Sequence, residues 1–133
     1  MPHSSNHVWI HAVWSTKKRY PFLIPEIEEK VFLHMLYLFK EIACPAEIIN
    51  GMPDHVHCLF SLNRNLSISK VIKKIKGNSS RWINESMLCL DSFSWQVGYS
   101  VYSVSEYHLE IIKSYIRNQK QHHSGQSNDI DMI

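Results

Sequence analysis

The stretch AEIINGMPDHVHCLFSL (46–62) contains two runs of apolar and β-branched residues on either side of GMPD, a typical turn sequence. It predicts an antiparallel hairpin of two strands over residues 46–50 and 55–62. Because side chains alternate between the faces of a sheet, His55 and His57 share one face and the apolar residues beside them share the other. We therefore expect a sheet with an apolar core on one face and an open, histidine-bearing face on the other.

Strand and helix signals on both sides of this hairpin complete the pattern. The predicted elements are strand 8–16, a helix from Pro25 to just before Cys44, strands 46–50 and 55–62, a helix capped by Ser67 or Ser69 to about residue 85, strand 95–104, and a helix from Glu106 to about His123 capped by Ser105. This order predicts a ferredoxin-like (RRM-like) α+β sandwich. Such a βαββαβ unit has a four-stranded antiparallel sheet, here with an added C-terminal helix.

The length and charge of the chain limit what it can be. At 133 residues we expect one domain, with its core over about residues 7–123 and a tail over 124–133. The 14 basic and 12 acidic residues give a net charge of +2, which excludes a histone-like polycation. Any binding of nucleic acid must therefore depend on where the basic residues lie.

The compartment is predicted from cysteine usage and from the lack of targeting signals. Three cysteines at wide spacing, without a CxxC pair, favour a reducing cytosol over a disulfide-bonded secreted protein. The N-terminal sequence lacks the order of a signal peptide, and no apolar run reaches the roughly 18 residues of a membrane span. We expect a cytoplasmic protein with no membrane partner.

Two pairs of residues are able to carry chemistry. His55 and His57 are spaced to chelate one cation, although an HxH pair on a strand is more often solvated or hydrogen-bonded than ligating. Tyr115 and Gln119 lie four residues apart and share one face of the last predicted helix. Taken alone, Tyr115 is better explained as an amphipathic anchor with a packed ring and a hydrated hydroxyl.

Basic residues cluster in a loop and on the second predicted helix. They are Lys17, Lys18 and Arg19 in the loop, and Lys70, Lys73, Lys74, Lys76 and Arg81 on the helix. A run of this kind is usually a solvated helix face. The two clusters together could instead neutralise the phosphates of DNA.

These motifs, in this order, resemble those of the single-tyrosine HUH transposases of the smallest bacterial insertion sequences. The matching segments are WSTKKR (14–19), NGMPDHVH (50–57), WQVGY (95–99), SVS (103–105), YIRNQ (115–119) and HH (122–123). The resemblance covers about residues 7–123, and the ordered series is far more specific than any single motif.

The resemblance implies a function, a site and partners. Tyr115 would be the nucleophile that cleaves single-stranded DNA at element ends, forming a 5′-phosphotyrosine and a free 3′-OH, and His55, His57 and Gln119 would bind Mg²⁺ or Mn²⁺. A second 3′-OH would rejoin the strands, so no nucleotide cofactor is needed. The partners would be single-stranded DNA hairpins, bound by the basic residues, and a second copy of the chain.

Other interpretations remain open. Only residues 120–133 follow Gln119, where relatives continue with a longer acidic and aromatic segment, so a decayed, inactive copy is one alternative. Aromatic residues of the fourth strand, Trp95, Tyr99 and Tyr102, could pair its edge with a second chain or pack against the C-terminal helix. A non-catalytic RRM-like nucleic-acid-binding module would need exposed sheet aromatics, and a metal-dependent hydrolase would need further ligands that the sequence lacks.

Overall fold

A computed structural model describes residues 7–124 of the chain, with side chains up to Gln121. The strands are β1 (Trp9–Ser15), β2 (Ala46–Met52), β3 (His55–Ser61) and β4 (Ser100–Val104), and the helices are α1 (Pro25–Glu41), α2 (Ile68–Glu85), α3 (Leu109–Arg117) and α4 (Gln119–Ser124). Single 3₁₀ turns occupy Lys17–Arg19 and Glu106–His108. Most of the predicted tail, residues 125–133, lies outside the described residues.

The four strands form one antiparallel sheet in the order β2-β3-β1-β4. This order confirms the predicted ferredoxin-like α+β sandwich, with β1 and β3 in the centre and β4 at an edge. One face, which includes Ala12, Trp14, Cys58 and Phe60, packs against α1 and α2 to form the core. No helix within residues 7–124 is long and apolar enough to cross a membrane.

The starts of the two core helices follow from local sequence. Pro25 is at the first position of α1, where its missing N–H breaks no hydrogen bond, and Glu26 and Glu28 lie in the first turn. Ser67, rather than Ser69, caps α2, because its side chain accepts a hydrogen bond of 3.2 Å from the backbone N–H of Lys70. Both helix starts therefore agree with the sequence prediction.

The fourth strand is shorter than predicted. Only Trp95 of the segment before Ser100 pairs with the sheet, through an isolated bridge to Thr16, and its ring is buried rather than at the edge. Gly98 has a φ of 98°, a conformation incompatible with a continuous strand. The Lys76 ammonium also binds the carbonyl oxygens of Gln96, at 2.7 Å, and Gly98, at 2.9 Å. These carbonyls are thus engaged by α2.

The last predicted helix is broken. Ser105 does not cap it, since its hydroxyl pairs with Nδ1 of His108 at 2.7 Å, and a 3₁₀ turn precedes α3. The break falls at Asn118, between α3 and α4. The Asn50 side chain donates hydrogen bonds to the last carbonyl oxygens of α3, those of Ile116 at 3.0 Å and Arg117 at 3.1 Å. Asn50 of β2 therefore supplies hydrogen-bond donors that the next turn of a continuous helix would otherwise supply.

Two glycines provide a test of this packing. Gly51 pairs with Val56, and a Cβ at position 51 would overlap the carbonyl oxygen of His55. We expect Gly51→Ala to lower the free energy of unfolding by about 1–3 kcal/mol, as overpacking does. A Cβ at Gly77, inside α2, would meet nothing within 4 Å, so Gly77→Ala should stabilise the protein by about 0.5–1 kcal/mol.

Urea unfolding of the two glycine variants and the parent measures both effects. If Gly51→Ala is as stable as the parent, β2 and β3 can move apart without a loss of unfolding free energy. That result would contradict the tight packing of Gly51 against His55.

Candidate active site

His55 and His57 share one face of β3, as predicted, but this face is not open. The side chains of His55 and His57 are 1% and 0% exposed. They lie on the face opposite the core, where α3 and α4 pack over β2 and β3. The expectation of an open histidine-bearing face was therefore wrong, because the C-terminal helices cover the sheet. Replacing these histidines should consequently affect stability as well as chemistry.

Asp54, in the turn before β3, positions His55. Its Oδ1 lies 2.8 Å from Nδ1 of His55, and its Oδ2 accepts a hydrogen bond of 3.0 Å from Nε of Arg19. The hydrogen bond with His55, aided by Arg19, holds the pKa of Asp54 well below its usual range, although burial opposes this shift. A carboxylate on Nδ1 fixes the imidazole so that Nε2 is the nitrogen suited to a cation.

His11 of β1 positions His57 in a similar way. Its Nε2 lies 2.9 Å from Nδ1 of His57, and both side chains are fully buried. Desolvation lowers the pKa of His11 to about 4, so the ring is neutral at physiological pH. Because Nδ1 of His57 is engaged by the protein, Nε2 is the nitrogen suited to a cation in this residue too.

Asp54 and His11 were absent from the predicted site. Asp54 carries a visible signal, since it directly precedes the HVH motif and is a residue type that orients metal-binding imidazoles. The alternation along β1 could have assigned His11 to one face, but that face became relevant only once the pairing of β1 with β3 was known.

Tyr115 and Gln119 come from the covering helices. The ring centroid of Tyr115 lies 5.8 Å from that of His57 and 6.4 Å from that of His11. Gln119 is fully buried, and its Nε2 donates a hydrogen bond of 3.3 Å to the carbonyl oxygen of Tyr115 across the helix break. The amide oxygen of Gln119 is thus the atom suited to a cation. Tyr115 therefore lies close to His57 and His11 of its own chain.

These residues fit a divalent cation as a donor set. His55 and His57 have ring centroids 5.2 Å apart, and each Nδ1 is held by another side chain. In the described part of the chain, no group of three or more His, Cys, Asp or Glu side chains could hold a metal ion. A third protein ligand would therefore have to be of another type, and the buried amide of Gln119, predicted as a ligand, offers an oxygen.

Of the predicted basic residues, only Arg19 is connected to the histidines, through Asp54. Lys17 and Lys18 are exposed, whereas Arg19 is tied to Asp54. On α2, the exposed members are Lys70, Lys73, Lys74 and Arg81, while Lys76 is half-buried against residues 96–98. The structure thus links the basic loop to the site through Arg19 and leaves the helix cluster on the other side of the sheet.

Comparisons with known proteins give the family of the chain. A family model described as "Transposase IS200 like" matches residues 4–119. The chain is 26% identical over 114 residues to the ISDra2 transposase TnpA of Deinococcus radiodurans, a match that covers 82% of this chain and 81% of that protein.

Solved structures share the fold. A candidate transposase from Deinococcus radiodurans R1 matches with a TM-score of 0.72 and 25% identity, over 90% of this chain and 95% of that one. A REP-associated tyrosine transposase, bound to a REP hairpin, matches with a TM-score of 0.66 and 15% identity, over 93% of this chain and 75% of that one. Together with the family model that spans most of its length, these matches show that the chain belongs to the IS200-like family of DNA transposases.

Proposed function

We propose that this transposase cleaves and rejoins single-stranded DNA through a covalent bond to Tyr115. The observation that carries the proposal is the 5.8 Å separation of the Tyr115 and His57 rings within one chain. The Tyr115 ring thus lies beside the imidazole of a proposed metal ligand, and a nucleophile must lie close to the cation that binds the phosphate. The unit that does this is a single domain, over about residues 7–123.

The reaction conserves the energy of the phosphodiester. The hydroxyl of Tyr115 loses its proton as its oxygen attacks phosphorus, the bond between phosphorus and the 3′ oxygen breaks, and the leaving 3′ oxygen takes up a proton. This leaves a 5′-phosphotyrosine and a free 3′-OH. A second 3′-OH attacks the phosphotyrosine in the reverse sense and rejoins the strands, so no nucleotide cofactor is consumed.

His55, His57 and Gln119 would hold Mg²⁺ or Mn²⁺ through two Nε2 atoms and one amide oxygen. The bound cation supplies Lewis-acid stabilisation of the charge that develops on the phosphate. Asp54 and His11 keep the two imidazoles oriented, and Arg19 keeps Asp54 in place. Gln119 and Tyr115 are joined by a hydrogen bond, so ligand and nucleophile are held in one unit.

The covered sheet argues against a non-catalytic RRM-like module. Such a module stacks bases on aromatic side chains of an open sheet face. Here α3 and α4 lie over that face, and His55 and His57 are buried beneath them. The remaining alternative is a decayed, inactive copy. The test is incubation of the protein with Mg²⁺ and single-stranded DNA that carries the element's ends. A covalent protein–DNA adduct supports an active transposase, and its absence supports a decayed copy.

We infer that the DNA partner is a single-stranded hairpin at the element ends. A solved relative with the same fold is bound to a REP hairpin, and exposed lysines of this chain offer a surface for phosphates. A homodimer is the further expected partner, for which the unpaired edge of β4 provides a site.

Hairpin binding should weaken steeply with salt. The positive charge is clustered in the basic loop and on α2 while the net charge is only +2, so binding depends on local release of counterions. Neutralising about five phosphates predicts a fall in affinity of roughly one hundred to five hundredfold between 50 and 200 mM salt.

Fluorescence anisotropy with a labelled hairpin, at both salt concentrations, measures this slope. Replacing Lys70, Lys73 and Lys74 by glutamine should lower the slope of log affinity against log salt concentration by about 3, which is about 1 for each lost phosphate contact. An unchanged slope would mean that these lysines form only a solvated helix face.

A further inference from the structure

A groove of about 580 Å³ lies between α2 and the segment 94–99. Its wall is mainly apolar, with Ile72, Trp95, Val97 and Tyr99 among the residues that line it. Val97 is 94% exposed and Tyr99 41% exposed, which is unusual for side chains of this kind so close together. Two predicted DNA-binding residues, Lys73 and Lys76, also line it, but neither explains its apolar wall.

The groove carries positive charge. Lys73 and Lys76 line it, and no carboxylate is among the lining residues that the structure describes. Two of the three N–H donors of the Lys76 ammonium bind the carbonyl oxygens of Gln96 and Gly98, which holds this cation in place at the groove. The apolar wall is suited to a nucleotide base, and the Lys76 and Lys73 side chains beside it are suited to the negative phosphate.

The basic loop is hydrogen-bonded both to the wall of the groove and to the residues that position His55. The backbone N–H of Lys18 donates to Oε1 of Gln96 at 2.9 Å, and that of Lys17 donates to the carbonyl oxygen of Ser94 at 3.0 Å. From the same loop, Arg19 binds Asp54, which binds His55. The basic loop therefore joins the two regions and carries exposed lysines between them.

We propose that this groove binds an unpaired nucleotide of the DNA strand that extends from the cleavage site. The base packs against the apolar wall with Tyr99, and its phosphates face Lys73 and the basic loop. This combination of an aromatic ring and a positively charged groove is how proteins hold single strands without reading their sequence. The inference rests on the proposed function, because it assigns a second contact to the same DNA.

Filling the groove tests the proposal without removing charge. Gly77 lines the groove, and a side chain built there meets open space, so Gly77→Phe should place a ring inside it and leave the fold intact. Asn78→Phe is the matched control, since Asn78 is the next residue of α2, is exposed and does not line the groove.

The probe is a labelled single-stranded oligonucleotide that carries the element's end and extends about ten nucleotides past it, measured by anisotropy in EDTA to prevent cleavage. Loss of one stacked base corresponds to roughly tenfold weaker binding, and we expect this for Gly77→Phe but not for Asn78→Phe. Tyr99→Ala, which removes the ring without filling the groove, should give a similar loss. If Gly77→Phe does not fold, Tyr99→Ala decides alone.

Equal binding by the parent, Gly77→Phe and Tyr99→Ala would overturn the inference, and so would an effect confined to the oligomeric state in gel filtration. Failure of the proposed function looks different. In that case the parent forms no adduct in Mg²⁺, while the groove variants still bind the oligonucleotide more weakly. If the parent forms the adduct and the groove variants bind DNA as the parent does, the proposed function is supported and nucleotide binding in the groove is contradicted.

Discussion

Tyr115→Phe is expected to abolish covalent attachment to DNA. The variant keeps the ring, and with it the contacts to His57 and His11, but loses the oxygen that attacks phosphorus. Incubation with single-stranded DNA carrying the element's ends and Mg²⁺, followed by denaturing electrophoresis, measures the adduct. We expect no detectable adduct, with hairpin affinity and the free energy of unfolding close to those of the parent, since this change creates no large cavity.

Tyr107→Phe is the matched control. Tyr107 is 94% exposed and precedes the same helix, so its hydroxyl has no role in the proposed site. This variant should form as much adduct as the parent. If Tyr115→Phe also becomes attached to DNA, another residue is the nucleophile and the proposed mechanism is wrong.

His57→Ala is expected to remove both cleavage and Mn²⁺ binding. The side chain is fully buried and its Nδ1 lies 2.9 Å from Nε2 of His11, so alanine deletes a proposed ligand and leaves a buried imidazole without this contact. We therefore expect a loss of about 1–3 kcal/mol in unfolding free energy, in contrast to the small cost expected for a solvated histidine. Calorimetric titration with Mn²⁺, adduct yield and urea unfolding measure the three effects.

His108→Ala controls for the loss of an imidazole, because His108 is exposed and outside the proposed ligand set. It should bind Mn²⁺ as the parent does. Gln119→Ala provides a graded comparison, since loss of one of three ligands should slow the reaction in a way that higher Mn²⁺ partly restores. Unchanged Mn²⁺ binding by both His57→Ala and Gln119→Ala would contradict the proposed metal site.

The errors in the sequence prediction share one origin. Strand 95–104 and the continuous last helix were inferred from local composition, yet distant side chains interrupt both. Lys76 of α2 engages the carbonyls before β4, and Asn50 of β2 engages those at the end of α3. Neither contact is visible from the sequence, because each joins segments about 20 or more residues apart.

The sequence by itself determined the order of the elements, the capped start of α2 at Ser67 or Ser69, and the shared face of His55 and His57. These features depend on interactions within a few residues, or on the two-residue period of a strand. Tertiary structure alone decided that the histidines are buried, that His11 lies against His57, and that Tyr115 of the same chain reaches them. Those outcomes depend on the register of β1 with β3 and on the packing of α3 over the sheet, both of which join residues far apart in the chain.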